Sequence, residues 1–160
     1  MGGIYALERL MADSDRAQDT RTITEVLSAC IRGHAQDKPP TGADKTRLAV
    51  DAQAALSVLG RAKLPDDVWV DFLAVDFHGK NLNSASLANA DLRDADLRYA
   101  NLREASLVGA NLHGADLSLA DLTDSILIGA DLTGADLRGV TGRSEEQLRN
   151  AAETDSNTQF

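Results

Sequence analysis

The chain has 160 residues and carries 25 acids against 16 bases, a net charge of −9. That balance excludes direct nucleic-acid binding, which needs a basic stripe to neutralise phosphates. No apolar run approaches the roughly 18 residues of a membrane-spanning helix, the N-terminus lacks a signal-peptide pattern, and a lone cysteine, Cys30, suits a reducing compartment. These features together predict a cytoplasmic chain without a membrane span.

In the first third, Ile4, Leu7, Leu10 and Met11 recur at helical spacing and predict a short amphipathic helix from Gly3 to about Ala12. A polar break, Asp13-Ser14-Asp15, follows it. Thr22-Ile23-Thr24-Glu25 has the form of a capping box, predicting a helix that opens there. Its apolar side would be Ile23, Val26, Leu27, Cys30 and Ile31, and Gly33 with Pro39-Pro40 would end it. A third helix is expected from about Lys45 to Leu59, burying Leu48, Ala52, Ala55, Leu56 and Leu59, with Gly60 as its stop. So small a set of apolar residues needs further burial against the rest of the chain or a partner.

From Val70 to Gly139 the sequence counts in fives. Starting at Ala90 it runs ADLRD, ADLRY, ANLRE, ASLVG, ANLHG, ADLSL, ADLTD, SILIG, ADLTG, ADLRG, and the frame extends back to VDFLA at Val70, giving 14 units. A large residue recurs at the third place: Phe72, Phe77, Leu82, Leu87, Leu92, Leu97, Leu102, Leu107, Leu112, Leu117, Leu122, Leu127, Leu132 and Leu137. The small first residue lies two places before it, so in extended backbone both point inward as the core, while the Asp or Asn between them points outward. Polar residues or glycines close each unit, as a turn requires. Repeated strand-plus-corner units wind a chain into a solenoid.

The tract resembles the pentapeptide-repeat family, whose signature is A(D/N)LXX. The resemblance implies a right-handed quadrilateral parallel β-helix with four units per coil, here about 3.5 coils. The opening GGIYALERL is similar to helical segments that precede such tracts in larger bacterial proteins, several of them membrane-anchored, so the chain could be a shortened relative of these. The sequence supplies its own test of the number four. Of the 14 second places, 11 are Asp or Asn, and the exceptions, Ser86, Ser106 and Ile126, stand 20 apart. Four units per coil puts all three on one face.

We therefore expect three parts: helices over 1–68, the β-helix over 69–140, and a cap helix with a flexible tail over 141–160. The cap helix is expected to open on Ser144-Glu145-Glu146-Gln147. At the other end the bulky Val70, Phe72, Val75 and Phe77, preceded by Trp69, would cover the first coil. Lys80 stands at an inward place and predicts an irregular first coil.

Two faces are candidate sites. The face built of 85–89, 105–109 and 125–129 has no charged residue and carries an outward apolar column, Ala88, Val108 and Ile128, joined by Ile126. Such a face marks something that covers it: the chain's own N-terminal helices, the reading favoured by their need for burial, or a homodimer or protein partner. The opposite face carries Asp76, Asp96, Asp116 and Asp136. Some pentapeptide-repeat proteins bind DNA gyrase as DNA mimics and confer quinolone resistance, and this acidic column carries that alternative here. Catalysis finds no support, because every serine lacks a nearby base. Cys30 and His34 share a helical spacing without a second pair to complete a metal site. We expect no enzyme, no cofactor and no metal, and a protein-interaction or scaffolding role for a monomer or homodimer.

Overall fold

The computed structural model describes residues 2–13, 17–35, 50–61, 64 and 68–160. Among them are four helices, α1 (Gly2–Asp13), α2 (Ala17–Ala35), α3 (Val50–Arg61) and α4 (Glu145–Ala151). The pentapeptide tract lies between α3 and α4.

Within the tract, parallel bridges join residues 20 apart: Asp71 to Asp91 to Asn111 to Asp131, Asp76 to Asp96 to Asp116 to Asp136, Asn81 to Asn101 to Asp121 to Thr141, and Ser86 to Ser106 to Ile126. Twenty residues per coil is four pentapeptides, and the three odd second places do share one face. Of the 14 third-place N–H groups, 13 reach the next layer of chain, as Leu92 N donates to Asn111 O at 2.7 Å. Asn111 N returns a bond to Ala90 O at 2.9 Å. The corner is a four-residue turn in which Ala95 N donates to Leu92 O at 3.2 Å. All 14 fifth places have positive φ, eight of them non-glycine, from Ala74 at 52° to Leu119 at 62°. A turn of the type II class needs that conformation at its third residue. Its cost falls on the eight non-glycine corners and is borne by the ladder around them.

The interior is apolar except at two first places, Lys80 and Ser125, and the Ser125 hydroxyl donates to Leu122 O at 2.8 Å. All 14 third-place residues are buried, none more than 3% exposed, and Phe72 meets Phe77 edge-on with ring centroids 5.6 Å apart. Lys80 does not disturb the first coil. It is itself buried, its N–H donates to Phe77 O at 3.0 Å and its carbonyl accepts from Asn101 N.

The helices cap the first coil, and their hydrophobic core is continuous with Phe72 and Phe77. The buried stripe of α2 is Thr20, Ile23, Thr24, Leu27, Ser28, Ile31 and Ala35. Its hydroxyls are satisfied locally: Thr24 donates to Thr20 O and Ser28 to Thr24 O, each at 2.8 Å. Arg32 on the same helix pairs with Asp71 at 2.7 Å and donates to the Asp71 carbonyl, tying α2 to the coil.

Several expectations are corrected here. Thr22 is no cap: α2 begins five residues earlier, at Ala17, and Thr22 donates to the Gln18 carbonyl inside it. Gly33 and Gly60 lie inside α2 and α3 rather than ending them. Val26 is 51% exposed, and Trp69, expected to cover the coil's end, is 60% exposed because α2 and α3 do the covering. Pro39, Pro40 and Leu48, and the predicted start of the third helix at Lys45, lie outside the described residues.

The C-terminus is not a flexible tail. Ser144 caps α4, accepting from Gln147 N while the Gln147 side chain accepts from Ser144 N, and Leu148 points into the stack, 1% exposed. The segment then rejoins the ladder, Glu153 bridging to Asp131 and Gln159 to Asp136. These steps are 22 and 23 residues rather than 20, because α4 and the following turn replace two corners. Asp155 organises that turn: Oδ1 accepts from Gly134 N and Thr158 N, both at 2.9 Å, and from Asn157 N at 3.0 Å. The Gly134 N–H bond leads in lowering the Asp155 carboxyl to about 2.

Candidate functional site: an unanchored face on the coil

The second-place Asp and Asn side chains have a structural use. In all 11 of them Oδ1 accepts the backbone N–H two residues on, from Thr133 N to Asp131 at 2.9 Å to Arg93 N to Asp91 at 3.3 Å. This is the Asx turn, a side chain standing in for backbone. It fixes 11 of the 14 corners, and at the eight Asp residues among them it leaves the second carboxylate oxygen to be engaged elsewhere.

On the face of Asp76, Asp96, Asp116 and Asp136 most of that second capacity is engaged. Arg98 grips Asp96 with Nε to Oδ1 at 2.9 Å and Nη2 to Oδ2 at 2.6 Å, and Arg138 holds Asp136 likewise. These guanidinium hydrogen bonds hold both carboxyls below their ordinary range. Asp116 accepts from the Ser118 hydroxyl at 2.6 Å and lies 3.7 Å from Arg98. Asp76 accepts from His78 N. The face is a set of anchored corners and ion pairs, not a free row of charge.

The uncharged face differs in both respects. Ser86, Ser106 and Ile126 supply no Asx acceptor, and among the described residues no hydrogen bond reaches the N–H of Ala88, Val108 or Ile128. The side chains beside those donors are open: Val108 is 37% exposed, Ile126 45% and Ile128 65%, with Ala88 half-buried. The described helices do not cover them, which overturns the expectation that the N-terminal helices lie here. Those helices bury their stripe on the coil's end instead.

Two further exposed features escaped the sequence reading. Tyr99 (58%) and Leu119 (49%) stack at fifth places 20 apart, with Tyr99 edge-on to His78 at 5.5 Å. The same sorting by twenties, applied to the fifth place, finds them. A groove of about 370 Å³ between α2 and the coil is lined by Trp69 and Leu73 together with Arg21, Glu25, Asp91 and Arg93. Among the described residues no group of three or more His, Cys, Asp or Glu could hold a metal. Cys30 is half-buried, and the side chain of His34 lies outside the described residues. No described helix is long and apolar enough to cross a membrane.

The family model for pentapeptide repeats matches residues 71–107 and 100–139 in 8 copies. A pentapeptide repeat protein of Nostoc PCC 7120 is 40% identical over 53% of this chain and 73% of its own, with a TM-score of 0.28. The chain belongs to the pentapeptide-repeat family. Another relative, Rfr23 of the cyanobacterium Cyanothece 51142, is 35% identical over 57% of this chain and 64% of its own, TM-score 0.38. QnrB1, a plasmid-mediated fluoroquinolone resistance protein, is 17% identical over 56% of this chain and 51% of its own, TM-score 0.41. The chain thus spans about three fifths of the length of Rfr23 and half that of QnrB1. No curated protein matches it.

Proposed function

We propose that this pentapeptide-repeat protein is a non-enzymatic interaction or scaffolding module, and that its uncharged face is the contact surface. The helical segment 1–68 and the segment 141–160 act as end caps on a β-helix, 69–140, with the right-handed quadrilateral winding of the family. The supporting observation is the coincidence on one face of three unanchored backbone donors, exposed Val108, Ile126 and Ile128, and no charge. Water serves such donors in the free protein, and a partner's acceptors would replace it at little cost.

The test is capture of partners by the intact chain, compared with Val108→Glu/Ile128→Glu and with Asp76→Asn as a control on the opposite face. All three chains should melt alike, since the altered side chains are exposed. Loss of the captured protein in the double variant alone supports the reading, and an unchanged captured set refutes it. The alternative, a DNA mimic acting on gyrase, has less to rest on, because Arg98 and Arg138 neutralise half of the acidic column. Inhibition or protection of supercoiling at micromolar protein would reverse that preference.

A further inference from the structure

We propose that the occupant of the uncharged face is the same face of a second copy, with the two coil axes antiparallel. The inference rests on the reading of that face as a contact surface and goes further by naming what covers it.

Charge is the first argument. Two copies bring −9 each. The face of Asp71 and Asp91 has four acids against Arg93. The face of Asp76 has four against Arg98 and Arg138, and the face of Asp121 has three against Lys80 and Arg103. Self-pairing through any of these sets carboxylates opposite carboxylates, which costs about 1 kcal/mol per close pair even in water. The face of 85–89, 105–109 and 125–129 carries none. A copy of the chain can approach a copy of itself there without that repulsion.

Shape is the second argument, and it fixes the orientation. The outward column is graded, Ala88 then Val108 then Ile128, in coils about 4.8 Å apart. A two-fold axis perpendicular to the coils sets Ala88 against Ile128 of the mate, Val108 against Val108, and Ile128 against Ala88. The side-chain carbons in the gap then total about five, six and five, so two flat faces can pack at one separation. A two-fold parallel to the coils gives about two, six and eight, a wedge that overpacks one end and leaves the other empty. The second places follow the same rule: Ile126 meets Ser86 of the mate, and Ser106 meets Ser106. The serine oxygens, without hydrogen bonds among the described residues, are acceptors available to the three free N–H groups. Residue i meeting j while j meets i is the signature of an isologous contact.

Area sets the strength. Three coils are roughly 14 Å tall, a patch well below the ~800 Å² per partner of a standard stable interface, so the dimer is weak and concentration-dependent. Gln53 and Ser57 of α3 border the upper end at Ser84–Ser86, and α4 continues the lower end through the bond from Gly129 N to Ala151 O. Antiparallel pairing brings α3 of one copy toward α4 of the other.

Sedimentation of the full chain from about 10 µM to about 1 mM should show the mass rising from 17.0 kDa toward twice that value. Ile128→Glu should abolish the rise. Ala88→Ile, placing isoleucine on isoleucine at both ends, should weaken association at least about tenfold. Ala88→Ile with Ile128→Ala inverts the gradient and should restore association to within about threefold. Strengthening by Ala88→Ile alone would show parallel pairing and overturn the proposal, as would a chain monomeric at about 1 mM. In that last case, a protein captured by the native chain and lost with Val108→Glu/Ile128→Glu leaves the contact-face reading standing, and an unaltered captured set sinks both.

Discussion

Gly142 is where the repeat register ends, and replacing it with alanine separates two costs that the fold avoids there. Its φ is +80°, a conformation that costs an L-residue about 1–2 kcal/mol. An added Cβ would also fall well inside contact distance of Thr123 N, Cα and Oγ1. Thr123 cannot retreat freely. Its carbonyl accepts from Glu104 N at 2.9 Å, and neighbouring Leu122 N donates to Thr141 O at 2.9 Å. Overpacking against such backbone adds about 1–3 kcal/mol, so Gly142→Ala should cost about 2–5 kcal/mol. At about 2–4 °C per kcal/mol for a chain of this length, the melting temperature should fall by about 4–20 °C in a circular-dichroism scan. Gly79→Ala is the control: φ is +62° but no heavy atom lies within 4 Å of the new Cβ, so only the conformational cost of about 1–2 kcal/mol applies. Equal losses in the two variants would refute the claim that the close approach to Thr123 adds to the conformational cost at Gly142.

The two capping boxes make opposite predictions: Ser144→Ala should destabilise by about 1 kcal/mol in denaturant unfolding, whereas Thr22→Ala, inside α2, should cost nothing measurable. Acid should loosen the C-terminal turn. The Asp155 carboxyl is held down to about 2 in the fold, chiefly by the Gly134 N–H, so its contribution is complete above the ordinary carboxylate range and is lost as pH falls through about 2. Hydrogen exchange at Gly134 and Thr158 should rise across that window in the native chain, and Asp155→Ala should show the rise already at neutral pH. Finally, Ile126→Asp restores an acceptor for the Ile128 N–H and should raise stability by about 0.5–1.5 kcal/mol while weakening any contact through the face. A lowered melting temperature with contact intact would contradict both halves of that expectation.

Legibility in the sequence followed the strength of the local physics. The five-residue period, the core column and the four-unit coil were readable because each corner repeats the same turn and the same Asx bond. A break at Ser86, Ser106 and Ile126 therefore stands out against 11 identical neighbours. The capping motif at Ser144 was readable for the same reason: it follows directly on the last repeat. Thr22 carried an equal motif with the opposite outcome, because the α2 hydroxyls, Thr22 exposed and Thr24 and Ser28 buried, turn back to the carbonyl four residues earlier and the helix runs through. The tail was misread since its polar residues, Asp155, Asn157 and Thr158, look like solvent-loving coil. In the fold they make the turn that returns the chain to the ladder. Where the helices dock was not legible at all, because an amphipathic stripe records that a face is buried and not against what.

The distribution of anchors inverts the first impression of this surface. Carboxylates that look like a recognition surface are engaged by the fold: one oxygen holds the next corner, and on Asp96 and Asp136 the other holds an arginine. The neutral residues, which look bland, are those the fold leaves unused. A coil gains from an Asx bond at every second place, and a soluble protein gains from polar side chains beside it. On one face, through consecutive coils, the chain forgoes the Asx bond at Ser86, Ser106 and Ile126 and sets apolar Ala88, Val108 and Ile128 beside the places left without it. One substitution of this kind is neutral drift, but a full column concentrates every loss where a single contact could recover it. The free protein is left with donors and methyl groups facing water, and burial by a second surface is the state in which neither is a defect.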